Sequence, residues 1–201
     1  MASKKKARAP GSVMEAAAHA AADLEALGVS FALVGGLAVS SWGTPRFTRD
    51  VDLAIAVATD NEAEKLVNEL RARGYELVVS IEQTKVDRLA TARLRRLQDR
   101  TVVIDLLFAS SGIEPELARD ATRLAGVPTA CIGHLIALKV LSESEKRLQD
   151  RIDIQELAKV ATPEDWKTAD AMVRLIKARG YHRGRALITR LRRFRRAHGG
   201  G

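Results

Sequence analysis

Arg46-Phe47-Thr48-Arg49-Asp50-Val51-Asp52-Leu53-Ala54-Ile55 is the stretch on which the fold turns. Val51, Leu53 and Ile55 alternate with Asp50, Asp52 and Ala54, the period of a strand with one face against a core. The two aspartates therefore share the other face, a few ångströms apart. Like charges held so close repel unless a cation lies between them. A hard divalent ion suits such a pair, because magnesium takes oxygen ligands from one or two carboxylates together with substrate phosphates. Taken alone, an Asp-x-Asp is also compatible with a solvated strand face.

A third carboxylate stands downstream in Val102-Val103-Ile104-Asp105-Leu106-Leu107. This run is strongly β-branched, and an aspartate inside it is costly to bury without a partner. That partner is either an arginine held for structural reasons or the first carboxylate pair. If the two strands are neighbours, Asp50, Asp52 and Asp105 form a cluster able to hold two ions about 3.5–4 Å apart, the arrangement used in phosphoryl transfer. The expected ions are two magnesium ions, with manganese as the alternative.

Upstream, Phe31 to Val34 reads as a short apolar strand running into Gly35-Gly36, and Leu37 to Trp42 as a short helix. Glycine lets phosphate oxygens approach the backbone, and the amides at a helix start favour negative charge. Gly35, Gly36 and the Ser40 hydroxyl are thus expected to cradle a triphosphate. Arg46 and Arg49 precede the aspartates and can offset phosphate charge.

The rest of the chain fits around these pieces. Val13 to Leu27 reads as a helix ended by Gly28, and Asn61 to Gly74 as an amphipathic helix with Ala63, Leu66, Val67 and Leu70 inward. Tyr75 to Ile81 and Thr101 to Ala109 read as strands. Residues 87–97 are ambiguous between helix and strand; the hairpin-length link near Gln98-Asp99 favours a strand over Leu89 to Arg95. After Pro128 the pattern turns helical, over Ile132 to Leu148, Arg151 to Val160, Pro163 to Arg179 and Arg183 to Ala197. The expected fold is α/β (α+β): a small mixed sheet flanked by helices, followed by a helical part. The domain boundaries are a flexible basic arm at 1–11, an α/β core at 12–130 and a helical region at 131–198.

These residues carry a family resemblance. Leu33-Val34-Gly35-Gly36, thirteen residues, Asp50-Val51-Asp52-Leu53, then Ile104-Asp105-Leu106 resembles the signature of the DNA polymerase β-like nucleotidyltransferase superfamily. Arg46-x-Thr48-x-Asp50-Val51-Asp52 is similar to the form found in its small bacterial members, the AbiEii-type abortive-infection toxins and minimal nucleotidyltransferases. The resemblance implies transfer of a nucleoside monophosphate from a nucleoside triphosphate (NTP) to an acceptor hydroxyl, with Asp50 and Asp52 as metal ligands and Asp105 as ligand and proton acceptor. It also implies an antitoxin as a partner. Leu135-Ile136-Ala137-Leu138-Lys139 and Asp150-Arg151-Ile152-Asp153-Ile154 look like the helical lysine and Asp-x-x-Asp elements of those toxins, which would set Lys139, Asp150 and Asp153 at the nucleotide. A purely helical alternative pairs Lys139 with Glu143, Glu143 with Arg147 and Lys146 with Asp150 at i,i+4.

Charge suggests the acceptor. The net charge is +8, and it is unevenly placed. Residues 1–8 carry four Lys or Arg without an acid, and residues 174–201 carry ten without an acid. Those fourteen leave nineteen basic residues against all twenty-five acids in the body. Leu187, Leu191 and Phe194 form an apolar stripe in the last helix, surrounded by Arg190, Arg192, Arg193, Arg195 and Arg196. Guanidinium groups bind phosphate with paired hydrogen bonds, so an RNA acceptor, tRNA-like, is expected, with solvated basic ends as the structural alternative. Two rival functions remain: transfer to a small molecule such as an aminoglycoside, and a non-catalytic nucleotide- or RNA-binding module.

Other classes are disfavoured. Cys131, the one cysteine, excludes an internal disulfide and fits a reducing cytoplasm. Cys131-x-x-His134 is half a zinc pattern with no second half. No P-loop and no Ser-His-Asp order is present. Residues 26–45 lack charge, but their glycines and serines break them into a strand and a short helix rather than a membrane span.

Overall fold

The structure is a computed structural model and describes residues 13–43, 47–83 and 88–198. Arg46 and the basic arm at 1–11 lie outside the described residues. Seven strands form one sheet in the order β3-β4-β5-β2-β1-β7-β6. Its centre is β2 (Asp50–Ile55), antiparallel to β1 (Phe31–Val34) on one side and parallel to β5 (Asp99–Leu107) on the other. The alternation anticipated for β2 is present: Val51, Leu53 and Ile55 are fully buried, whereas Asp50 is exposed.

Residues 88–96 form a strand. β4 (Arg88–Arg96) pairs antiparallel with β5 and, on its other side, with β3 (Tyr75–Gln83). Helix α3 (Asp60–Ala72) packs on β3 and β4 through Ala63, Leu66, Val67 and Leu70. Its first turn is capped by Thr59, whose hydroxyl accepts from the Glu62 amide at 3.2 Å. Helix α1 (Val13–Ala26) lies against β2 and β5, and Tyr75 donates to Asp23 on it at 2.6 Å.

Three short elements did not stand out in the sequence. They are α4 (Glu114–Arg119), β6 (Thr122–Leu124) and β7 (Val127–Thr129). β7 extends the sheet by pairing parallel with β1 at Leu33 and Thr129. Helix α2 (Gly35–Trp42) is tied to that edge by Trp42, whose indole donates to the Ala130 carbonyl at 2.8 Å.

The helical part comprises α5 (Ile132–Ser142), α6 (Leu148–Val160), α7 (Pro163–Ala178) and α8 (Leu187–Ala197). α5 stops six residues before the anticipated Leu148. The stop is at Glu143, whose buried carboxylate accepts from Arg151 at 2.6 Å and Arg190 at 2.7 Å. The carbonyls of Leu141 and Glu143 accept from Arg185 and Arg190, which closes the helix end with cations. α8 begins at Leu187 rather than Arg183, after a turn in which Gly180, Arg183 and Gly184 are left-handed. Pro163 at the first position and a capping box between Thr162 and Asp165 start α7. Leu187, Leu191 and Phe194 of α8 join the same buried cluster as Leu33, Leu53 and Leu106 of the sheet. No helix among the described residues is long and apolar enough to cross a membrane.

Candidate active site

Strand register builds the site. Asp52 is opposite Val34 on β1 and opposite Asp105 on β5; Asp105 is in turn opposite Arg93 on β4. Laterally paired residues project from the same face about 5 Å apart. A row therefore crosses four strands: the β1–α2 elbow, Asp52, Asp105 and Arg93. Asp50 lies two residues back on β2, on the Asp52 side.

The elbow is fitted to Asp52. Gly35 has φ +67°, a left-handed conformation, and a Cβ at this position would overlap the Asp52 carboxylate. Only glycine satisfies both demands. Gly36 is buried in the first turn of α2. The Ser40 hydroxyl donates to the Gly36 carbonyl at 3.1 Å, four residues back in its own helix.

Asp52 carries the electrostatic signature of the site. Burial raises its carboxyl to about 6, and the neighbouring charges of Asp105 and Asp50 act in the same direction. Lys139 and Arg147 oppose the rise without cancelling it. Asp105 is in a different state. The Arg93 guanidinium grips it with two bonds, Nε to Oδ1 and Nη2 to Oδ2, both 2.8 Å. An arginine partner was one of the two fates open to a buried aspartate in this strand.

Lys139 is buried in α5 and reaches across to α6, with Nζ 3.0 Å from Asp150 Oδ1 and 2.7 Å from Asp153 Oδ2. Arg147 closes the group, with Nε 2.8 Å from Asp150 Oδ2. These contacts replace the Lys139–Glu143, Glu143–Arg147 and Lys146–Asp150 pairs of the purely helical alternative, because the helix ends at Ser142. α2 packs against both α5 and α6, which sets this ion cluster beside the glycine elbow.

The oxygen-only donors Asp50 and Asp52 suit magnesium, and Asp52 is raised by burial first and by the neighbouring Asp105 charge second. Among the described residues, no three acidic, histidine or cysteine side chains converge as a ready metal cage.

The proposed nucleic-acid residues lie apart from this row. Arg190 is half-buried on Glu143, whereas Arg192, Arg193 and Arg196 are exposed on α8, and Arg195 is partly covered. Arg49 stacks over Phe47 at 5.4 Å, and Phe47 is 78% exposed three residues before Asp50. Sequence reasoning missed Arg93 and Phe47. His134 is buried and its imidazole is disfavoured as a cation by desolvation, so it belongs to the packing.

Comparison with known proteins agrees with this geometry. An antigenic nucleotidyltransferase-like protein from Paracoccidioides brasiliensis is 20% identical over 90% of this chain and 92% of its own, with a TM-score of 0.52. The lincosamide antibiotic adenylyltransferase LnuA, solved with lincomycin bound, is 17% identical over 73% of this chain and 98% of its own, at 0.50. At such identities the likeness is one of fold. No curated protein matches the sequence. The family described as "Nucleotidyl transferase AbiEii toxin, Type IV TA system" matches residues 20–198. With the glycine elbow and the Asp50/Asp52 strand inside that span, the chain belongs to the AbiEii nucleotidyltransferase toxin family.

Proposed function

We propose that this AbiEii-family nucleotidyltransferase uses magnesium to move a nucleoside monophosphate from an NTP onto a hydroxyl of an RNA, tRNA-like in kind. The observation that carries the metal reading is the strand register, which sets Asp50 and Asp52 on one strand beside Asp105 on the next. Asp50, Asp52 and Asp105 are the metal ligands. Gly35, Gly36 and the α2 amides receive the triphosphate, since the elbow has no side chain to keep phosphate oxygens away. Ser40 is assigned to the same subsite, as Arg46 is from the sequence alone, and Lys139, held by Asp150 and Asp153, flanks it. Ions held by these carboxylates would neutralise phosphate charge and so lower the barrier at phosphorus.

The acceptor oxygen forms a bond to the α-phosphorus as the bond from that phosphorus to the β-phosphate bridge breaks. Pyrophosphate leaves, and the acceptor proton passes to Asp105. The acceptor class rests on two features: the exposed Arg192, Arg193 and Arg196 of α8, and the Phe47–Arg49 stack at the mouth of the strand. An exposed aromatic face with a guanidinium suits an unpaired base. An antitoxin is the expected regulator of such a protein.

Incubation with each labelled NTP, magnesium and total RNA is the test, with Asp52→Ala alongside. Label should enter RNA with the wild type only. Label entering a lincosamide or aminoglycoside but no RNA would overturn the acceptor class. NTP binding without any transfer would reduce the chain to a binding module.

A further inference from the structure

Arg93 has no part in the transfer chemistry above, yet it makes two 2.8 Å contacts to the carboxylate row. Its Nε and Nη2 each meet a different Asp105 oxygen at that distance. Asp105 is almost buried, with its side chain 10% exposed, while that of Arg93 is 41% exposed. The arrangement is asymmetric: a fixed acid is covered by a cation with open solvent behind it. An arginine guanidinium stays charged at any physiological pH. It is therefore a permanent positive charge beside three acids.

A fork–fork pair uses one lone pair on each carboxylate oxygen and places a full positive charge in front of them. A second cation cannot approach the same edge without repulsion. We infer that Arg93 is an internal counter-ion that holds Asp105 until metal and triphosphate arrive together, and so makes metal binding depend on the nucleotide. This rests on the metal-site reading of Asp50, Asp52 and Asp105. The exchange is non-covalent: two N–H···O bonds to Asp105 are given up, an Asp105 oxygen turns to the ion, and the freed guanidinium meets the phosphate charge brought in with it. Without phosphate the guanidinium has no comparable partner to move to, so metal alone is a poor competitor.

Manganese binding to the full chain, measured by electron paramagnetic resonance without and with a non-hydrolysable NTP, tests this. Wild type should bind manganese weakly alone and much more tightly with nucleotide. Arg93→Gln should tighten nucleotide-free binding by roughly ten- to a hundredfold, the value of a charged paired hydrogen bond. Arg93→Lys, a point charge without the fork, should fall between the two and guards against misfolding of the glutamine variant. In an Asp105→Asn background the Arg93→Gln gain should vanish. A nucleotide-free affinity unchanged or weakened in both Arg93 variants would overturn the counter-ion role while leaving the metal site intact. Wild type that binds no manganese even with nucleotide would instead overturn the metal reading and this inference with it.

Discussion

Two groups of carboxylates sit side by side in this molecule, and their charge balance differs. On α5 and α6, Asp150 and Asp153 meet Lys139 and Arg147, two acids for two cations. On β2 and β5, Asp105 is bonded to Arg93 in a row that also holds Asp50 and Asp52, three acids for one bonded cation among the described residues. The helical group is balanced, each acid meeting a cation. In the sheet group, burial first and then the charge of Asp105 raise the Asp52 carboxyl to about 6. The difference separates an arrangement whose charges are balanced from one whose charges, on the proposed function, are completed by a bound cation.

The largest effect expected is on turnover. Asp52→Asn should cost about 10⁴-fold, because a metal ligand carries several kcal/mol of transition-state stabilisation. Its metal-free melting temperature should stay level or rise, since one of three crowded charges is gone. A fall in melting temperature with normal turnover would place Asp52 in the scaffold.

Lys139→Met should do the reverse to stability. It leaves Asp150 and Asp153 buried with one cation between them, and breaking such a group costs about 3–5 kcal/mol. Chemical denaturation checks this. A destabilisation below about 1 kcal/mol would mean that the helical group is also open to a ligand.

The third effect is a pH dependence. The Asp52 carboxyl stands above its ordinary value of 3.8 in the folded chain, so the folded state holds the proton more tightly. Its contribution is fully present below about pH 4 and is lost as pH rises to about 6. Subtracting an Asp52→Asn melting series from that of the metal-free wild type isolates this change. Magnesium with NTP should diminish it. An identical pH profile in the two proteins would remove Asp52 as its source.

The smallest effect concerns the acceptor. Replacing Arg192, Arg193 and Arg196 by Gln should flatten the log–log salt dependence of RNA binding by about 0.7 for each phosphate that α8 no longer neutralises. Triphosphate binding at the aspartates should not change. An unaltered slope would leave α8 as a docked, solvated helix.

Much of this was legible in residues. Asp50 and Asp52 announce one face by their spacing, and Val102 to Leu107 can be little but a strand. The Lys139 cluster was legible only as a resemblance, since spacing alone equally favoured pairs within one long helix. What ended that helix at Ser142 was distant: Arg185 and Arg190, more than forty residues on, take up its last carbonyls. Arg93 was hidden by register. The turn sets Arg96 opposite Asp99, and a regular ladder from there would put Arg93 opposite Val102. The irregularity between Leu94 and Arg96 shifts the pairing so that Arg93 meets Asp105 instead. A bulge of this kind leaves no mark in the hydrophobic pattern. β6 and β7 were too short, at three residues each, to show any period.

The glycine elbow makes one codon unusually consequential. Every missense change at position 35 introduces a Cβ, and there that carbon would displace the Asp52 carboxylate. Core residues such as Leu33 and Leu53 tolerate conservative exchange, since similar apolar volumes repack. Gly35 has no conservative neighbour in the genetic code. Loss-of-function alleles that keep the protein folded and abundant should therefore concentrate at that codon, where a single base change separates an armed site from a blocked one.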